Sequence, residues 1–162
     1  MRFSMTCTII SDEKKFDIFR KNESIPLCNK IKTMLLSEIW QLYCRGYDRF
    51  WLNCEWNIPM WCAEIITAMK MYNDIRLYIA MPYEEQASGW DEKHRERFFD
   101  VHADADKVIM ISDYYTKDCF HLADMHMINN SDRVLIIGND RAELFGSKYA
   151  VEHDIPVEYM FK

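Results

Sequence analysis

The stretch Ile75–Trp90, IRLYIAMPYEEQASGW, decides the fold. Its first seven residues are rich in apolar and β-forming types, Pro82 bounds them, and a polar segment containing Gly89 follows. The pattern predicts a buried strand over Ile75–Met81 that hands the chain to a loop at its carboxyl end. Ligands of open α/β sheets bind at the carboxyl ends of the strands, so the same stretch says where a site belongs.

Working outward, both flanks alternate between the two secondary-structure periods. Upstream, Ile58, Trp61, Cys62, Ile65, Ile66, Met69 and Tyr72 recur on one face of a helix over Ile58–Tyr72, with Pro59 in its first turn, where a missing amide proton is tolerated. Phe50–Cys54 (FWLNC) is a short strand before it. Cys28–Cys44 is a helix with Ile31, Met34, Leu35, Ile39 and Leu42 as its buried stripe and Gly46 as its stop. Phe3–Ile10 is a first strand, and Lys14–Pro26 an irregular crossover. Downstream, Asp91–Ala103 is a charged helix anchored by Phe98, Phe99 and His102. Lys107–Ser112 (KVIMIS) has the unbroken apolar character of a strand buried on both faces. Helices over Lys117–Ile128 and Ala142–His153 alternate with strands over Val134–Ile137 and Val157–Phe161. Strands alternating with helices throughout predict a Rossmann-like, doubly wound, mostly parallel sheet with helices on both faces, Ile75–Met81 central in it, as one domain over residues 1–162.

Bulk properties narrow the function. A chain of 162 residues with 49% hydrophobic content suffices for one core. A net charge of −6 opposes a broad nucleic-acid or membrane surface, which needs a basic face. No apolar run approaches the roughly 20 residues of a membrane span. The six cysteines form no CxxC pair, so zinc-ribbon and thioredoxin-like sites are not indicated, and reduced thiols in a cytoplasmic protein are the expectation. No signal-peptide pattern precedes the first strand.

Three segments in order, YNDIRLYIAMPYEEQASGW, ADKVIMISDYYTKDC and MINNSDRVLII, resemble the YpsA-like family of the SLOG superfamily, the Rossmann-like group that includes DprA and the LOG phosphoribohydrolases. Trp61, Ala63 and Glu64 resemble the family's WAAE helix start. Pro82, Gln86 and Trp90 match its proline, glutamine and tryptophan, Tyr115, Thr116 and Cys119 its YT-x-x-C segment, and Met127, Ser131 and Asp132 the run before the next strand. The resemblance implies a nucleotide-derived ligand at the strand ends. The chain departs from it at the phosphate loops. Where the family has a glycine-rich SGMALGxD loop this chain has Asn53, Cys54, Glu55, Trp56, Asn57, Ile58 and Pro59, replacing close-approach glycines with charge and bulk. The family's Arg-Asn pair falls on Ala123 and Asp124. The TGHRP motif is absent, and the GG-T/S turn has become Gly138, Asn139, Asp140, Arg141, Ala142 and Glu143.

The ligand-binding candidates are therefore Asn53, Glu64, Pro82, Gln86, Trp90, Tyr115, Gly138 and Arg141, with Glu64 and Glu143 as candidate catalytic acids. Glu64 is either a base or ribose-binding carboxylate or a favourable charge near a helix start. Gln86 and Trp90 either sandwich a base or form a lid packed on the next helix. Asp118, His121 and Asp124, three residues apart, drift around a helix by about 60° per step and do not converge on a metal. His126 lies roughly 140° around the helix from His121, so a solvated helix face is the expectation for this group, and Cys119, which lacks an oriented base, is expected to be a small packed core residue. Trp51, Trp56, Tyr47 and Phe50 form an aromatic surplus that either marks a partner surface or fills the core, and an isologous homo-oligomer is the expected assembly. The expected function is a sensor or adaptor without catalysis and without a cofactor. The rivals are a nucleotide N-glycoside hydrolase and a ligand-free interaction module.

Overall fold

The computed structural model describes residues 4–16, 22–138 and 144–161. In chain order the elements are β1 (Met5–Ser11), α1 (Glu13–Phe16), α2 (Pro26–Cys44), β2 (Tyr47–Leu52), α3 (Ile58–Met69), β3 (Arg76–Met81) and α4 (Glu92–Asp104). Then come β4 (Lys107–Met110), α5 (Cys119–Asn129), β5 (Arg133–Ile137), α6 (Phe145–Glu152) and β6 (Val157–Met160). The strands form one six-stranded sheet in the order β4-β3-β2-β1-β5-β6, with every neighbouring pair parallel. This is the expected Rossmann-like α/β arrangement.

Side-chain alternation along each strand sorts the two faces. Cys7 and Ile9 of β1, Phe50 and Leu52 of β2, Leu77 and Ile79 of β3 and Leu135 and Ile137 of β5 join the core under α2, α3 and α4. The intervening Trp51, Tyr78 and Ala80 meet Ala123 and Met127 of α5, and Ile10, Val134 and Ile136 meet Ile128 and Ala150 on the α5–α6 side. The chain thus builds β1 to β4 in one direction, crosses behind the sheet with α5, and starts again beside β1 with β5. Two aspartates set the register at strand starts. Asp132 Oδ2 accepts from Thr6 N at 2.8 Å while its own N–H donates to Thr6 O at 2.8 Å, and Asp106 pairs in the same way with Leu77.

Several expectations need correction. β3 is second from an edge, and β2 and β1 occupy the middle, because the reversal after β4 places later strands on the far side of β1. β4 is the edge strand itself, with Val108 42% and Met110 45% exposed, so it is not buried on both faces. The aromatic cluster, either a partner surface or core filling on sequence, is core: Phe50, Trp51, Trp56 and Tyr47 are all buried, since β2 lies inside the sheet. Phe99 faces solvent; Phe98 and Val101 are the residues that bury α4. α3 stops at Met69, leaving Tyr72 exposed. Pro26 opens α2 as its first helical residue, the position where its missing N–H is harmless. No described helix is long and apolar enough to cross a membrane.

Candidate functional site

The reversal of strand order between β1 and β5 leaves a crevice at their carboxyl ends, because the connections from the two strands leave in opposite directions. A cleft of about 580 Å³ lies there. Its walls come from the turn after β1 (Ser11, Asp12, Glu13), from Asn53 after β2, from α5 (Phe120, His121, Asp124) and from the first turn of α6 (Leu144, Phe145, Gly146, Lys148).

The floor is set by close backbone approaches. Gly138, at φ +154°, sits where a Cβ would come within 2.8 Å of the Asp12 Cβ, so the chain leaving β5 and the chain leaving β1 touch only because this residue has no side chain. At Gly146 a Cβ would meet the tip of the Ile10 side chain, Cδ1, at 2.7 Å, so α6 lies close over β1. Asp12 N donates to Ile137 O at 2.9 Å, joining the two strand ends.

Acidic groups outnumber basic ones among the described residues of the cleft: Asp12, Glu13 and the carboxyl of Asp124 face Lys148 and His121. Burial first, and the Glu13 carboxylate second, push the half-buried Asp124 up to about 8. His121 stacks on Phe145 with ring centroids 4.0 Å apart and planes 9° from parallel, and Phe145 continues the stack to Tyr149. His121 and Asp124 thus converge on the cleft rather than forming an inert solvated face. Their three-residue spacing suffices, since both need only reach one wall. Among the described residues no group of three His, Cys, Asp or Glu side chains is placed to hold a metal ion.

The loop that would cradle a phosphate in the resembling family is closed on itself. Cys54 at φ 55° and Asn57 at φ 102° keep backbone conformations that favour glycine, although neither is glycine. Asn53 Oδ1 accepts from Glu55 N at 2.9 Å, Glu55 Oε1 accepts from Trp56 N at 2.8 Å, and Asn57 Nδ2 donates to Phe16 O at 2.6 Å. Amides that would point at an anion are thereby used within the loop. Trp56 packs against His94 at 3.9 Å and Trp90 at 5.6 Å, with the Arg97 guanidinium 4.8 Å from its ring.

The candidates named from sequence separate into three groups. Asn53 lines the cleft and Gly138 shapes its floor. Pro82, Gln86 and Trp90 are used in packing: Gln86 is buried and its Nε2 donates to Asn53 O at 3.1 Å, while Trp90 meets Phe98 at 5.2 Å. Tyr115 is exposed and stands edge-on to Tyr83, which in turn meets Phe120. Glu64 lies apart from the cleft, where Arg97 donates to both its oxygens at 2.9 and 2.6 Å and to both oxygens of Glu23 at 2.7 and 2.9 Å. Burial alone would raise Glu23, but the hydrogen bonds from Arg97 and Lys32 outweigh it and hold that carboxyl at about 2. Arg141 and Glu143, with Asn139, Asp140 and Ala142, lie outside the described residues. Burial pushes the Cys54 and Cys62 thiols up, so neither is a thiolate at neutral pH.

Sequence reasoning missed Asp12, Glu13, Phe120, Phe145 and Lys148. Their signal is positional: each lies just past β1 or on the first turns of α5 and α6, the elements that flank a switch point.

The YspA SLOG family profile (YpsA) matches residues 10–154. Similar proteins include the UPF0398 proteins of Staphylococcus aureus strains JH9, JH1 and Mu3. Each is 22% identical over 137 residues, spanning 83% of this chain and 73% of the relative. The matched span runs from the end of β1 past the end of α6, taking in both sides of the cleft, and the chain belongs to the YpsA family of SLOG proteins.

Proposed function

We propose that this protein is a non-catalytic sensor or adaptor whose switch-point cleft takes a nucleotide-derived small molecule through its base and ribose rather than through phosphate. The observation that carries the reading is the lining: among the described residues, the carboxylates of Asp12 and Glu13 and the raised carboxyl of Asp124 stand against one lysine, beside a loop whose amides are already hydrogen-bonded internally. Carboxylates accept hydrogen bonds from ribose hydroxyls and from exocyclic amines, and they repel phosphate oxygens. Phe120 and the stacked His121–Phe145 pair supply an aromatic wall for a base.

A thermal-shift panel of nucleosides, nucleoside monophosphates, ADP-ribose and NAD tests this. A ligand at 100 times its dissociation constant stabilises the fold by about 2.7 kcal/mol, a shift of several degrees. The expected result is that a nucleoside shifts the melting temperature at least as far as its monophosphate, and that Asp124→Ala weakens the shift. Silence across the panel, or a response that requires phosphate, rejects the reading.

One observation favours N-glycoside hydrolysis as a second reading. A carboxyl held at about 8 is suited to donate a proton to a leaving base at neutral pH. Base released from a nucleoside monophosphate, and abolished by Asp124→Asn, would establish that chemistry in place of sensing.

A further inference from the structure

We infer, resting on the reading of the cleft proposed above, that Asp124 selects the base and pairs with it as a neutral acid, so that the ligand is one whose base carries an amino group beside a bare ring nitrogen, as adenine does. The first ground is position. Asp124 follows Phe120 by one turn of α5 and His121 by three residues, and all three line the cleft, so they share one face of the helix. The aromatic wall that takes the flat side of a base therefore ends in a carboxyl placed to meet that base's edge. The second ground is that the carboxyl is unengaged. Among the described residues no hydrogen bond or ion pair reaches it, whereas Glu23 and Glu64 are each held by Arg97. Its Oδ2 lies 3.9 Å from where a Gly146 Cβ would stand, against a residue with no side chain to cover it.

The third ground is the chemistry of that carboxyl. The ionisable groups that share the cleft with it, among the described residues, are Asp12 after β1, Glu13 on α1, His121 on α5 and Lys148 on α6. Burial and the Glu13 carboxylate oppose its ionisation, so it keeps its proton up to about 8. A carboxylate only accepts hydrogen bonds, but a carboxylic acid presents an O–H donor and a carbonyl acceptor side by side. The O–H donates to a bare ring nitrogen while the carbonyl oxygen accepts from the adjoining amino group. A lactam edge would also fit the acid, but it would bring a carbonyl oxygen beside the Glu13 carboxylate, where an amino group is favoured. Loss of the proton leaves lone pairs facing each other across the ring-nitrogen contact, and the pairing fails. Asparagine offers the same donor and acceptor with no proton to lose.

Isothermal titration calorimetry of the full chain with adenosine, at pH 7 and pH 9 and in two buffers of different ionisation enthalpy, tests the inference. The expected affinity is about tenfold weaker at pH 9 than at pH 7, with about one proton taken up per adenosine at pH 9 and almost none at pH 7. Asp124→Asn is expected to bind adenosine equally at both pH values without proton uptake, and Asp124→Ala to bind at least about tenfold more weakly at pH 7. Equal wild-type affinity at the two pH values, or proton uptake that persists in Asp124→Asn, overturns the inference and leaves the proposed ligand class standing. So does a failure to bind adenosine when another nucleoside shifts the melting temperature. Absence of binding by every nucleoside rejects the ligand class and the inference with it.

Discussion

Asp124 carries the strongest pH signature in the cleft. Its carboxyl is raised from an ordinary 3.8 to about 8, so the folded state holds the proton more tightly than the unfolded chain does. The stability this contributes is complete below the unfolded value and is lost as pH climbs through the folded one. Asp124→Asn removes the titration, and the variant is expected to be at least about 1 kcal/mol more stable than wild type at pH 8, with the gap closing toward pH 4. Denaturant melts at the two pH values measure it, and an equal difference at both would show that the carboxyl is not raised. Gly138 makes a steric statement of the same local kind. Gly138→Ala drives a Cβ to 2.8 Å from the Asp12 Cβ at a φ that side chains avoid, and is expected to cost about 2 kcal/mol or more in urea unfolding. A neutral result would mean that the strand ends separate freely.

At the scale of elements, the ion cluster of Glu23, Glu64 and Arg97 ties α4 to α3 and to the segment ahead of α2. One guanidinium serves two carboxylates that are partly withdrawn from water, so removing it leaves both uncompensated. Arg97→Met is expected to lower stability by about 2–4 kcal/mol at neutral pH. The sign of its pH dependence follows from Glu23, which is held below its ordinary 4.5: the stabilisation is present above that value and disappears as pH falls toward 2. The gap between Arg97→Met and wild type should therefore narrow in acid, and a gap that widened would contradict the assignment. Because Glu64 is engaged here, Glu64→Gln is expected to perturb stability and leave ligand binding in the cleft intact.

For the whole molecule, the alternation of periods made the architecture legible, since helical stripes such as Ile31, Leu35, Ile39 and Leu42 need only local sequence to be seen. Strand order was not legible from the same signal. An edge strand and an interior strand of equal hydrophobicity look alike until pairing is known, and so β4 was expected to be covered and β3 central. The site was half legible for a related reason. Erosion of the glycine loops could be read residue by residue, and Asn53 and Gly138 fell at the cleft, but Asp12, Asp124 and Phe145 converge only through the reversal that sets β5 beside β1. The loop after β3 could be read from its own residues, and there Gln86 hydrogen-bonds Asn53 O and Trp90 packs on Phe98.

The reversal also orders events in time. β1 pairs with β2 across the crossover that carries α2, but its other neighbour begins at Arg133, and the clamp between Thr6 and Asp132 spans 126 residues. Closing so long a loop is entropically expensive and slow. During synthesis β1 emerges early and must keep one edge unpaired until β5 has left the ribosome, so the middle of the finished sheet is, for most of the chain's emergence, an exposed edge at risk of aggregation.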